Sequence, residues 1–166
     1  GYDLVFFWVS RMIMLGLWRT KKPPFRNVYF HGMVRDKDRQ KMSKSKGNVI
    51  DPLGVAEIYG ADAVRMALIV GNTPGLDPVV SEDKIRAYRN FATKIRNAAK
   101  FVLTYIEPDS KIKPRFSKKD LDNLRELKIF KKEIERDIEN FRLHEASNKL
   151  YHYFWHVFAD KIIEES

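Results

Sequence analysis

Three stretches in the second half of the chain repeat apolar residues at helical spacing, and they limit the possible folds more than any other feature. The first carries Ile85, Tyr88, Ala92, Ile95, Ala99, Val102 and Ile106. The second carries Leu121, Leu124, Leu127, Phe130, Ile134, Ile138 and Phe141. The third, from about Leu143 to Glu164, carries Ala146, Leu150, Phe154, Val157, Phe158 and Ile162. Each is an apolar stripe of period near 3.6, the pattern of a helix lying on a core. Ser81 is placed to cap the first, with Glu82 and Asp83 favourable to its dipole. Glu107-Pro108-Asp109 ends it, and Lys111 to Arg115, with Pro114, reads as a basic linker. Ser117 with Asp120 approximates a capping box for the second. Three long helices on short connections predict an antiparallel bundle.

The first half reads differently. Gly1 to about Leu17 is helical and apolar on most sides, with a narrow polar edge at Ser10 and Arg11, so it is expected to be packed from several directions. A bare start in so apolar a segment points to a piece of a longer polypeptide. Lys21-Lys22-Pro23-Pro24 stops the helix. Asn27 to Val34 is rich in β-branched and aromatic residues and reads as a buried strand. Asp51-Pro52 starts a short helix that Gly60 ends after Tyr59. Ala61 to Val70 forms another, with Val64, Leu68 and Ala67 turned inward. Gly71-Asn72-Thr73-Pro74-Gly75 is turn chemistry.

Between the expected strand and the short helices lies Lys41-Met42-Ser43-Lys44-Ser45, preceded by Arg35-Asp36-Lys37-Asp38-Arg39-Gln40. The loop offers mobile ammonium groups, two hydroxyls and, at Gly47, a residue that lets backbone approach a ligand. Ammonium groups on flexible stems suit the diffuse charge of a polyphosphate, especially charge that grows in a transition state. A solvated basic surface loop has the same composition.

The pentapeptide, followed by Lys46-Gly47-Asn48-Val49-Ile50-Asp51-Pro52, resembles the second signature of class I aminoacyl-tRNA synthetases. The resemblance implies a loop that closes over ATP, with Lys44 nearest the departing pyrophosphate, Lys41 as its helper, and Met42, Ser43 and Ser45 in the nucleotide site. Gly1-Tyr2-Asp3, Phe6-Phe7-Trp8-Val9 and Arg11-Met12-Ile13 look like the stretch that leads out of the nucleotide-binding fold in the valyl members of that family. It places Asp3 at the adenosine ribose, with Gly1 allowing close approach, and the His31-Gly32 backbone near the adenine. Leu4 and Trp8 would line the amino-acid side-chain pocket. An apolar pocket walled by an indole separates near-isosteres by only about 1–3 kcal/mol. Isoleucyl members carry a more polar continuation where Asp3-Leu4 stands here. Tyr59-Gly60-Ala61-Asp62-Ala63-Val64-Arg65 resembles the stem-contact region that joins the catalytic fold to the tRNA-binding bundle. Plain core packing is the other reading of Trp8, and taken without the family His31 reads as a satisfied core or edge histidine.

The expected fold class is therefore mainly α with a small α/β part. Residues 1–78 would be the C-terminal piece of a nucleotide-binding, Rossmann-like fold with the stem-contact region. Residues 79–166 would be part of a helical anticodon-binding domain. The first class I signature, of the His-x-Gly-His type, has no counterpart in these 166 residues. The resemblance thus implies an internal-to-C-terminal part of a valyl-tRNA synthetase, without the N-terminal half of the parent enzyme and without an editing domain. Its partners would be ATP, L-valine and tRNA(Val), with Mg2+ arriving through ATP and no metal held by the protein. The alternatives are an isoleucyl or leucyl enzyme, or a non-catalytic basic helical RNA-binding module.

Charge agrees with a polyanion partner. The net charge is +9; residues 1–80 contribute +5, residues 81–119 +7 and residues 120–166 −3. Arg86, Arg89, Arg96 and Lys100 form a second stripe beside the apolar one on the first long helix. A helix of about 25 residues is roughly 37 Å long, enough to track a phosphate backbone; an ordinary solvated flank would look the same. His152, His156 and Asp160 have the spacing of helical metal ligands, but Tyr151, Tyr153 and Trp155 around them suggest packing. The absence of Cys excludes a disulfide framework and thiolate metal sites. No apolar run reaches the roughly 20 residues of a membrane span, and the cytoplasm is the expected compartment.

Overall fold

A computed structural model describes residues 1–105 and 115–165. The expected helix end at Glu107-Pro108-Asp109, the stripe position Ile106 and the linker through Pro114 lie outside the described residues. Packing divides the chain into two units: Gly1–Ile50 with Asn72–Ser81, and Asp51–Gly71 with Glu82–Ser166. This division differs from a boundary at residue 78 over 51–71, whose two short helices pack with the later helices.

In the first unit a π-helical turn, Val5–Val9, runs into helix α1 (Ser10–Thr20). Lys21 ends α1 in the left-handed region, φ 57°, and its N–H donates to the Leu17 carbonyl at 3.0 Å. The expectation that this helix is buried is overturned: none of its residues is buried, and Trp8 is 63% and Trp18 72% exposed. A helix apolar around most of its circumference needs cover on several sides, and the described residues do not supply it. The strand expected over 27–34 is also corrected. That segment makes no ladder; the described residues hold only isolated bridges, Arg35 with Lys41 antiparallel and Arg35 with Val79 parallel. β-Branched and aromatic residues favour a pleated surface, but a strand exists only where a neighbour pairs with it.

What orders this unit is a polar junction before the basic loop. Asp77 accepts from the Met33 N–H at 2.8 Å and from Arg35 Nε at 2.7 Å. The Arg35 N–H donates to the Pro78 carbonyl, and the Val80 N–H to the Arg35 carbonyl. Gly32 is buried against the same segment, where a Cβ would lie 1.9 Å from the Leu76 carbonyl oxygen.

The second unit holds α2 (Pro52–Tyr59), α3 (Ala61–Ile69), α4 (Glu82–Thr104), α5 (Lys118–Glu139) and α6 (Leu143–His152), which continues as a π-helix over Tyr153–Ile162. The caps at Asp51 and Ser117 are those expected. Asp51 accepts from the N–H groups of Leu53 and Gly54, and Ser117 and Asp120 form a reciprocal capping box. On α3 the buried face is Ala63 and Ala67, not Val64 and Leu68. Two alanines let α4 approach closely, so its Ile85 reaches full burial.

The α5–α6 pair is antiparallel, since its partners run in opposite directions: Asp137 with Lys149, Phe130 stacked on Tyr153, and Lys119 with Glu165. The last helix runs parallel to α4, through Phe91 against Tyr151, Phe154 and Trp155, and Lys94 against Asp160. The aromatics that flank the two histidines are thus packing residues. Much of the expected inward stripe stays exposed on α5, at Leu121, Leu124, Leu127 and Ile138, and on the second half of α4. Stripe positions become core only where another helix reaches them. The α5–α6 corner is held by Asp137, 2% exposed. Its Oδ1 accepts from Arg142 Nε at 2.9 Å and its Oδ2 from Lys149 Nζ at 2.7 Å. These bonds, Lys149 first, hold its carboxyl below the usual carboxylate range.

Candidate functional site

The basic loop is built between two turns. Asp36 opens the first: its Oδ1 accepts from the N–H groups of Asp38 at 3.0 Å and Gln40 at 2.7 Å. Its backbone pairs with Gln40, while Arg39 takes a left-handed φ of 59°. This returns the chain so that Lys41 bridges Arg35. The second is a single 3-10 turn, Lys44–Lys46, that follows extended Ser43. Gly47 closes it at φ +67°, a conformation that L side chains rarely adopt. The Ser43 and Ser45 hydroxyls lie 3.1 Å apart, and Lys46 Nζ reaches Gln40 at 3.4 Å.

The charges are distributed unevenly. Lys41 and Lys44 are exposed and form no ion pair with a carboxylate among the described residues. Two unpaired ammonium groups three positions apart are available to an anion. Asp36 has its carboxyl held below the ordinary value, first by the Asn48 amide and then by the Gln40 N–H.

The other expected site residues fall as follows. Gly1 lies beside the segment before the loop, since a Cβ on it would sit 3.5 Å from Met33 Cγ. Leu4 and Trp8 are 42% and 63% exposed, so the described residues do not enclose a side-chain pocket around them. His31 is exposed, with Nδ1 2.7 Å from the Gly32 carbonyl oxygen. On α4, Arg86, Arg89, Arg96 and Lys100 are all exposed; Arg86 pairs with Asp83 one turn earlier. The His152 and His156 rings stack at 5.7 Å, and Asp160 is tied to Lys94 at 2.7 Å. No group of three metal-binding side chains occurs among the described residues.

Sequence reasoning missed Asp36, Asn48 and Asp77, which shape the loop and its base. The available signal was the Asx residue opening a turn at Asp36 and another directly after Gly47.

Comparison with known proteins decides the family. Residues 1–80 match the model of class I tRNA synthetases (I, L, M and V). Residues 120–166 match the anticodon-binding domain of tRNA ligases. The chain is 46% identical to a valine--tRNA ligase of Solibacter usitatus over 99% of its own length and 19% of that protein's.

The chain belongs to the class I tRNA synthetases.

It is also 44% identical to a valine--tRNA ligase of Clostridium acetobutylicum over 99% of the chain and 19% of the relative. With that of Aquifex aeolicus it shares 41% over 99% of the chain and 14% of the relative. The chain thus spans about a fifth or less of the length of these curated relatives. Among solved structures it resembles a LeuRS from Agrobacterium radiobacter K84, crystallised in a ternary complex with tRNA and LeuAMS. The TM-score is 0.67 at 26% identity, over 86% of this chain and 20% of that one. The match to valine enzymes is the stronger in sequence. No helix among the described residues is long and apolar enough to cross a membrane.

Proposed function

We propose that this chain is part of a cytoplasmic valine--tRNA ligase, which activates L-valine with ATP and transfers it to tRNA(Val). In activation the valine carboxylate attacks the α-phosphorus of ATP, the bond to the β-phosphate oxygen breaks, and pyrophosphate leaves. Negative charge grows on that leaving group. A protein lowers such a barrier mainly by placing fixed positive charge where the negative charge develops. Lys44 takes that role, with Lys41 beside it and Met42, Ser43 and Ser45 shaping the backbone that meets the nucleotide. The observation that carries the reading is the pair of unpaired ammonium groups on a braced loop, in a chain 46% identical to a valine enzyme.

The remaining roles follow from the same reading. Asp3 accepts the ribose hydroxyls, with Gly1 allowing the approach, and the His31-Gly32 backbone lies along the adenine. Leu4 and Trp8 form one wall of the valine pocket, whose opposite wall comes from the rest of the enzyme. Residues 1–78 are then the late part of a Rossmann-like catalytic fold with the stem-contact region. Residues 79–166 are part of the anticodon-binding domain, with Arg86, Arg89, Arg96 and Lys100 on tRNA phosphates. Mg2+ accompanies ATP.

ATP–pyrophosphate exchange tests the proposal. A full-length synthetase carrying this chain is expected to exchange with valine and poorly with isoleucine or leucine. The isolated chain is expected to give background only, since the first class I signature is not in it. Exchange driven better by isoleucine or leucine, or clear turnover by the chain alone, contradicts this reading.

A further inference from the structure

The loop that carries the unpaired lysines is held by groups that leave those lysines uncommitted. The Asn48 side-chain amide bonds to backbone groups that a neighbouring strand would otherwise pair with. Its Oδ1 accepts from the Ser43 N–H at 2.9 Å, and its Nδ2 donates to the Lys41 carbonyl at 3.3 Å. Those two backbone groups flank Met42, and in a parallel bridge they would pair with the N–H and C=O of a single residue on the neighbouring strand. Nδ2 also donates to Asp36 Oδ2 at 2.6 Å. The other oxygen of Asp36 is the one that accepts from Asp38 and Gln40. One carboxylate and one amide therefore join the turn before the loop to the residue that leaves it.

This arrangement answers a physical difficulty. Lys41, Lys44 and Lys46 place three like charges within six residues, so the loop repels itself and would spread without a ligand. A carboxylate bound to Lys41 or Lys44 would order the loop but would have to be displaced before a phosphate could bind. Asp36 acts on the backbone and on Asn48 instead, and its field reaches Lys46. The base is anchored in turn, because Arg35, next to Asp36, is bonded through its side chain to Asp77 and through its backbone to Pro78 and Val80.

We propose that Asp36 and Asn48 are positioning residues for amino-acid activation, forming a clamp that presets the Lys41–Gly47 loop so that Lys41 and Lys44 face the polyphosphate of ATP. The proposal rests on the ATP-closing role of the loop. A preset loop gives up less conformational freedom when charge develops, which favours the transition state over ground-state binding.

The test is ATP–pyrophosphate exchange by the full-length synthetase with valine. Lys44→Ala runs alongside: if it exchanges as well as wild type, the role of the loop fails, independently of the clamp. Asn48→Asp sets a carboxylate against Asp36, and Asp36→Asn sets an amide against Asn48. Each is expected to lower kcat for activation by about 10- to 100-fold, with valine affinity and Tm little changed. The double variant restores a donor–acceptor pair between the two positions and is expected to recover about tenfold over the weaker single variant. A merely structural contact would lower Tm and valine binding together and show no rescue of kcat. Should a charged variant fail to fold, Asn48→Ala removes the amide without creating a like-charge pair and carries the same kcat expectation. Single variants within about twofold of wild type while Lys44→Ala is inactive, or a double variant no better than either single one, overturn the clamp.

Discussion

At the scale of single residues, two kinds of information separate. Lys41, Met42, Ser43, Lys44 and Ser45 stand out in the sequence because they are consecutive and resemble a family signature, while their composition alone fits a solvated basic loop as well. The roles of Asp36, Asn48 and Asp77 are not legible there, because the bonds that tie Asp36 to Asn48 and Asp77 to Met33 span 12 and 44 positions and exist only once the turns have formed. Gly32 lies between these cases. The family resemblance puts its backbone near the adenine, while the structure adds a packing reason for glycine: the Leu76 carbonyl occupies the space of a Cβ. Gly32→Ala must push residues 76 and 77 away and disturb the Asp77 bonds to Met33 and Arg35. The expected cost is about 1–3 kcal/mol, read as a lower denaturant midpoint for the chain. An unchanged midpoint would mean that this contact is relieved without strain.

At the scale of elements, helices were legible and strands were not. A helix satisfies its own backbone, so caps such as Asp51 and Ser117 and a period of 3.6 suffice to place it. A strand depends on partners, and 27–34 has no ladder partner among the described residues. Helix faces were legible only by halves: α4 buries Ile85 near its start, leaves Ile95 and Val102 of the same stripe exposed, and buries Phe91, which the stripe omits. The α5–α6 corner was invisible in the sequence, because Asp137, Arg142 and Lys149 read as ordinary charged positions. Its behaviour with pH follows from the direction of the shift. Asp137 ionises more easily folded than unfolded, so its stabilisation is present at neutral pH, above the unfolded carboxyl value, and is lost as acid protonates it. Asp137→Asn is expected to lower Tm by on the order of 10 °C at about pH 7, with the gap to wild type narrowing steadily below about pH 4. Equal Tm differences at both pH values, followed by circular dichroism, would remove the ionised carboxylate from the account.

At the scale of the whole molecule, the exposed apolar faces of α1 and α5 fit a chain that spans a fifth of its valine--tRNA ligase relatives. Sequence periodicity marks such a face as core without saying what covers it, which is why burial was overestimated at both. The charge map is consistent with the proposed division of labour. The basic excess lies in the loop region and on α4, where the proposal puts ATP and tRNA phosphate, while the last helices are slightly acidic. The central claim concerns the leaving pyrophosphate, and rapid-quench measurement of valyl-adenylate formation by full-length Lys44→Ala tests it most directly. The rate constant is expected to fall by about 100-fold or more while the dissociation constant for valine stays within a few-fold. A variant that forms adenylate at the wild-type rate and has lost only valine affinity would contradict it.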